Sequence, residues 1–308
     1  MKDRIAIGTT LLTCALLAFA PGSARANYLT QEPLAPGISA QSDARTLNTA
    51  LFEAARKGYQ NHVETLLGYG ASLRVRDRFG NTALLLAART SKAKLVKFLI
   101  DAGSDINHQN LAGSTALLRA ASSNRYKSVQ VLIDAGADIN LANKKRLTPL
   151  SAAAFEGNQR MLEFLIKHGA DVGVIDNSGK SAIIYAAARG FSGIVRRLLN
   201  AGIDVNQRYG NELTVLMWAA GYSDDVPTSD GVATTQIILD AGARLNDRDN
   251  RGRTALMTAA QRGHAETVQL LLTAGANADL RDAHGKSAFD LAKSSGVAET
   301  VRVLKKLR

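Results

Sequence analysis

NKKRLTPLSAAA, residues 143–154, is the stretch from which the rest of the chain can be read. Thr148 followed by Pro149 marks a helix start: the hydroxyl accepts a first-turn N–H, and proline at the first helical position loses no hydrogen bond. The alanines Ala152 to Ala154 leave a face small enough for another helix to approach closely. Upstream, LIDAGADIN (132–140) ends an apolar stripe at Gly136, a residue suited to the left-handed position that terminates a helix. Asp138-Ile139-Asn140 and the polar residues after it read as a short β-turn finger between one helix pair and the next.

The same signals recur along the chain. Thr82, Thr115, Thr148, Ser181 and Thr214 follow one another at a constant spacing of 33, Thr254 follows after 40 and Ser287 after 33, and Thr49 lies 33 before Thr82. Gly70, Gly103, Gly136, Gly169, Gly202, Gly242 and Gly275 keep the same beat and absorb the same seven-residue insertion. Two series in one register exclude chance and mark a stacked repeat architecture.

At these residues the sequence resembles the ankyrin repeat family. The family pattern D-x-x-G-x-T-P-L-H-x-A-A appears here as DRFGNTALLLAA (77–88), NKKRLTPLSAAA (143–154) and DNRGRTALMTAA (249–260), and its closing half as LIDAGADIN (132–140) and LLTAGANAD (271–279). The histidine that the family places after the leucine is missing from every repeat, which bears on local turn hydrogen bonds and not on the fold. The resemblance implies an all-α ankyrin solenoid of helix-turn-helix pairs with short β-turn fingers, about six full repeats plus end caps. The expected organisation is a signal peptide over 1–26, a linker over 27–43 and an ankyrin repeat domain over 44–308. Within that domain, 44–76 is the opening unit, the full repeats are 77–109, 110–142, 143–175, 176–208, 209–248 and 249–281, and 282–308 closes the stack. Each repeat depends on its neighbours to bury its apolar faces.

Composition agrees with this reading. Of 308 residues, 46% are hydrophobic but only 5% aromatic, so the core is built from Ala, Leu, Val and Ile, as suits close-packed small helices. Cys14 is the only cysteine, which excludes a disulfide scaffold. Lys2 and Arg4, the apolar run Ile5 to Ala20 and the small residues of Ala24-Arg25-Ala26 read as an export signal with cleavage before Asn27. The run is shorter than the roughly 20 residues of a membrane span. A periplasmic or secreted location is expected.

The search for chemistry finds little. His62, His108, His168, His264 and His284 form no metal-ligand spacing, and no Walker loop, G-x-S-x-G elbow or dinucleotide fingerprint is present. No catalytic residue, cofactor or metal is expected. Asp224, Asp225 and Asp230 in the insertion fit a solvated turn better than a calcium loop. His264 and Trp218 are read as structural, the tryptophan packing against a neighbouring repeat.

Charge carries the functional expectation. The chain holds 38 Lys+Arg against 27 Asp+Glu; without residues 1–26 the balance is 35 against 26. The resemblance implies that partners meet the second, third, fifth, thirteenth, fourteenth and thirty-third positions of each unit. Those positions give Arg78, Phe79 and Arg89, then Lys144, Lys145 and Phe155, then Lys180, Arg189 and Arg208, then Tyr222 and Arg248, and finally Arg251, Arg253, Arg262 and Arg281. Leu111, Ser122, Ser123, Glu156, His284 and Lys286 fall in the same frame, with Glu156 its only acid. A cation-lined concave face attracts an anionic surface, and Phe79, Phe155 and Tyr222 are its expected apolar anchors. The expected function is non-catalytic protein binding by a monomer, with an acidic protein as partner. Anionic envelope components are the alternative, and nucleic acid is disfavoured because no stacking platform or helix-turn-helix is visible. Exported ankyrin proteins that assist periplasmic enzymes or neutralise toxins share this architecture, and no residue here chooses between them.

Overall fold

The computed structural model describes residues 34, 36–90 and 92–306. The expected signal segment, Cys14 and the first part of the expected linker therefore lie outside the described residues. Among those described, the chain is a run of helices without strands, and no helix is long and apolar enough to cross a membrane.

The helices come in pairs, an inner one followed by an outer one. The opening pair is α1 (Ala44–Lys57) and α2 (Gln60–Gly68). Then come α3 (Ala83–Ala87) with α4 (Ala93–Asp101), α5 (Ala116–Ser122) with α6 (Tyr126–Asp134), and α7 (Pro149–Phe155) with α8 (Gln159–Lys167). The series continues with α9 (Ala182–Ala188) and α10 (Ser192–Asn200), α11 (Val215–Ala220) and α12 (Thr228–Asp240), α13 (Ala255–Arg262) and α14 (Ala265–Thr273), and closes with α15 (Ala288–Ser295) and α16 (Ala298–Lys306). The fold is the all-α solenoid that the periodicity predicts.

Each inner helix starts as the threonine series requires. The Thr82, Thr115, Thr148, Thr214 and Thr254 hydroxyls each accept the backbone N–H three residues on, and Ser287 does the same for Asp290. This cap uses backbone N–H groups alone, so it survives the missing family histidine. Two members depart. Ser181 makes no side-chain cap, although its hydroxyl is buried. Thr49 lies inside α1, its hydroxyl donating to the Arg45 carbonyl, while Asp43 caps that helix six residues earlier. With no finger to enter from, the opening helix extends toward the amino end.

The alanine pairs, such as Ala120-Ala121 and Ala186-Ala187, are buried in the inner-helix layer. The Leu, Val and Ile of the outer helices, among them Leu95, Val129, Leu162 and Leu198, close the core from the other side. Small residues permit the close helix approach, and the apolar area removed from water supplies the driving force.

Two ladders join the units. At the fingers, the Leu111 N–H donates to the Phe79 carbonyl (3.0 Å), Lys144 to Ala112 (3.0 Å), Asn177 to Lys145 (3.1 Å), Gly210 to Gly179 (3.0 Å), Asn250 to Asn211 (3.1 Å) and Ala283 to Arg251 (2.8 Å). Behind the helices, the Asn107, Asn140, Asn206 and Asn246 side chains accept the N–H of Asp138, Asp171, Arg244 and Asn277 in the next unit. That second ladder explains why an asparagine closes the Gly-Ala-Asp-Ile-Asn segment. A carboxylate or amide at the finger base accepts two N–H groups of its own turn, as Asp77 does from Phe79 and Asn81. In the inserted repeat Tyr209 stands there instead, and the finger tightens into a 3-10 turn at Gly210–Glu212.

The insertion is packed rather than free. It lengthens α12 to 13 residues against nine in the other full repeats' outer helices, and the Ser223 N–H donates to the Ala188 carbonyl of the preceding unit. Asp224 and Asp225 remain exposed. Among the described residues no three His, Cys, Asp or Glu side chains gather as a metal site.

Candidate functional site: the inner face

The finger tips and the exposed side of the inner helices form the inner face, and it differs from end to end. At the amino end, α1, the first two fingers, α3 and α5 enclose an open cleft of about 1110 Å³. Phe52, Glu53 and Arg56 line it from α1, Asp77, Arg78, Phe79, Leu111 and Ala112 from the fingers, Leu86 and Arg119 from the inner helices, and Arg89 from the turn just past α3. Phe79 is 55% exposed and Leu111 65%, with the Arg78 guanidinium 4.7 Å from the Phe79 ring centre. Arg119 is half-buried, and its Nε is buried with no hydrogen-bond partner. Burial, then the charge of Arg89, lowers its pKa from the ordinary arginine value, against a smaller opposing effect of Asp77.

In the middle of the stack, aromatic and cationic groups alternate. Phe155, 44% exposed, meets the Tyr185 ring edge-to-face at 5.7 Å. The Arg189 guanidinium lies 4.8 Å from the Phe155 ring and 5.5 Å from Phe191. The Lys180 ammonium lies 5.2 Å from Trp218 and 5.8 Å from Tyr185. The Tyr185 hydroxyl donates to Asp176. Burial and that bond to a carboxylate push the Tyr185 pKa up to about 12. Burial works to raise Asp176, but the bonds it accepts from Tyr185, Ser178 and Lys180 outweigh it and its pKa is lowered.

From Arg208 onward most of the inner-face arginines are ion-paired. Arg208 lies 3.6 Å from both Glu212 and Asp247, Arg251 is 2.8 Å from Asp249, and Arg281 is 3.5 Å from Asp290. Arg253 is 3.3 Å from Asp282, 2.6 Å from the Gln261 oxygen and only 16% exposed. Arg262 reaches Asp224 at 4.0 Å. Among the described residues, by contrast, no carboxylate lies within 4.0 Å of Arg78, Arg89, Lys144, Lys145, Lys180 or Arg189.

Sequence models described as ankyrin repeats match residues 51–143, 117–209 and 150–228, and a second model of the same description matches 238–292. The chain belongs to the ankyrin repeat family. No curated protein matches it. Ankyrin repeats are protein–protein interaction scaffolds and are generally non-catalytic binding modules.

On the ankyrin stack the predicted partner positions sort into three groups. Arg78, Phe79, Arg89, Lys144, Lys145, Phe155, Lys180 and Arg189 share the amino-terminal and central face, where no described carboxylate pairs with the cations. Arg208, Arg251, Arg253, Arg262 and Arg281 are ion-paired, so the expectation of a uniformly cationic face with Glu156 as its one acid is corrected. Glu212, Asp247, Asp249, Asp282, Asp290 and Asp224 lie outside the positional frame and still reach those arginines. Arg248 lies apart from these pairs and contributes its carbonyl to Arg208 (2.8 Å).

Tyr222 is the clearest correction. Expected as an exposed anchor, it is 2% exposed and stacks on His264 at 3.7 Å with the rings 7° from parallel. The insertion folds α12 across it, and the imidazole Nδ1 meets the Ala220 carbonyl at 3.0 Å. Three inner-face residues escaped the frame: Arg119, Tyr185 and Trp218. They occupy one column with Leu86 and Ala152, each a single repeat length from the next. The signal was present, as large polar or aromatic groups in a column where the other full repeats place Leu86, Ala152 and Thr258.

Proposed function

We propose that the protein is an exported, non-catalytic ankyrin scaffold that docks an acidic protein on the inner face of its amino-terminal and central repeats. The observation that carries this reading is the asymmetry of pairing. Among the described residues, seven inner-face cations from Arg78 to Arg189, Arg119 included, have no carboxylate within 4.0 Å and stand alongside exposed Phe79, Leu111 and Phe155. Unmatched charge raises the encounter rate with an anionic surface, and exposed aromatic and aliphatic groups within it supply buried contact once docked. Arg208, Arg251, Arg253, Arg262 and Arg281 are paired with neighbouring carboxylates and add little to that field. Export rests on the reading of residues 1–26.

In-cell crosslinking with the full chain, followed by partner identification, tests the proposal. The variant Lys144→Glu/Lys145→Glu/Arg189→Glu is expected to lose an acidic crosslinked protein that wild type retains. Lys94→Glu/Lys127→Glu, on exposed positions of the outer helices α4 and α6, is expected to keep it. Equal loss from both variants reduces the effect to net charge and rejects the face. Recovery of the chain from the cytoplasm with Met1 still attached rejects export.

A further inference from the structure

Within the reading just given, and resting on it, we propose that the amino-terminal cleft is a subsite for a short acidic–aliphatic peptide segment of the partner. A carboxylate sits between Arg89 and Arg119, and the neighbouring aliphatic side chain lies on Phe79 and Leu111.

The charges of the cleft leave an opening for an anion. Glu53 is held by Arg56 at 3.1 Å and Lys57 at 3.7 Å. Asp77 accepts the Phe79 and Asn81 N–H groups at 2.8 and 2.9 Å, and the Asn81 amide donates to both its oxygens. Both carboxylates are thus occupied, while Arg78, Arg89 and Arg119 have no acid within 4.0 Å among the described residues. Arg119 stands in a column where neighbouring repeats place Leu86 and Ala152, so packing asks for no cation there. A half-buried guanidinium beside another, with an unpartnered Nε, is an unfavourable arrangement that an incoming carboxylate relieves by accepting from the fork.

Shape favours a peptide over a surface. The cleft of about 1110 Å³ exceeds the range of roughly 300–1,000 Å³ that holds compact ligands, and it is open enough for a short length of chain. Arg119 lies on the inner helix behind finger tips that carry exposed Phe79 and Leu111. A flat membrane meets the tips and does not reach Arg119. An extended chain with alternating side chains does, turning acids to the helix wall and aliphatic groups to the finger wall.

The probe is a fluorescein-labelled decapeptide alternating Asp and Leu, titrated against the full mature chain by anisotropy. Asn–Leu and Asp–Gly decapeptides and phosphatidylglycerol vesicles are the comparison arms. Wild type is expected to bind the Asp–Leu peptide about tenfold or more tightly than either control peptide, and Arg119→Leu to lose about tenfold or more. Arg119→Leu restores the residue type of Leu86, so its thermal midpoint is expected to stay level or rise, which separates lost binding from lost folding. Leu111→Ser weakens binding through the other wall. Failure of wild type to bind, equal binding of Asn–Leu, or wild-type affinity in Arg119→Leu overturns the assignment. Vesicle binding that Arg119→Leu abolishes overturns it in favour of lipid. If Arg119→Leu keeps the crosslinked partner while Lys144→Glu/Lys145→Glu/Arg189→Glu loses it, the inner-face reading stands and the cleft assignment falls.

Discussion

Replacing Gly231 by alanine sets two opposed effects against each other. Gly231 lies inside α12, where alanine is favoured over glycine by roughly 0.5–1 kcal/mol. A Cβ built there, however, falls 2.1 Å from Tyr222 Cε1, 2.4 Å from Cδ1 and 2.5 Å from Cζ. The ring has little room to withdraw, because its other face lies 3.7 Å from His264. Overpacking of this kind costs about 1–3 kcal/mol, and contact with a pinned ring lies toward the upper end. The net expectation for Gly231→Ala is destabilisation by about 1–2 kcal/mol, a fall of roughly 2–8 °C in the thermal midpoint. Far-UV circular dichroism of the full chain reads it. Had Tyr222 been an exposed anchor, the same substitution would raise the midpoint through helix propensity alone. An unchanged or higher midpoint therefore refutes the burial argument. In a Tyr222→Ala background the penalty should disappear, since the two substitutions share one contact.

Other consequences follow from individual contacts. Burial is the largest influence on His264 and, with the charge of Arg262, lowers its pKa, outweighing the Ala220 hydrogen bond and the Asp224 charge. The unfolded chain then binds the proton first, so this contribution to stability is present above pH about 6.5 and is lost as pH falls toward the folded value. Denaturant midpoints at pH about 7 and about 5.5 should show a steeper loss for wild type than for His264→Gln. Tyr185→Phe removes the hydroxyl that donates to Asp176 and should lower stability by about 1–2 kcal/mol, read from urea unfolding. Gly113 and Gly136 both have positive φ, +78° and +87°, but a Cβ at Gly113 falls 2.7 Å from the Lys144 nitrogen, whereas Gly136 has nothing within 4 Å. Gly136→Ala should cost about 1 kcal/mol from backbone strain alone and Gly113→Ala about 2–3 kcal/mol, because it also disturbs the Lys144-to-Ala112 ladder bond; equal losses in a urea series would contradict this.

The sequence by itself determined the solenoid, because each of its signals acts over a short stretch of chain. Thr148 caps the helix that starts immediately after it, and Gly136 ends the outer helix that stops just before it. Repetition of those signals once per repeat then fixes the stacking without long-range information. Thr49 shows the limit of that logic, since the spacing placed it in the series and the missing finger moved the helix start to Asp43.

The face was only half legible for a physical reason. Position in a repeat says where a side chain leaves the backbone, not which group from the next unit meets it. Arg253 finds Asp282 and Arg208 finds Asp247, each in the following unit, so only the stacked structure shows that these two cations are paired. The insertion matters most at Tyr222, because seven extra residues let α12 fold over the ring and bring His264, from the next repeat, into contact with it. Arg119 illustrates the reverse: its column was visible in the repeat register, but its orphaned nitrogen and nearness to Arg89 arise only where two repeats meet.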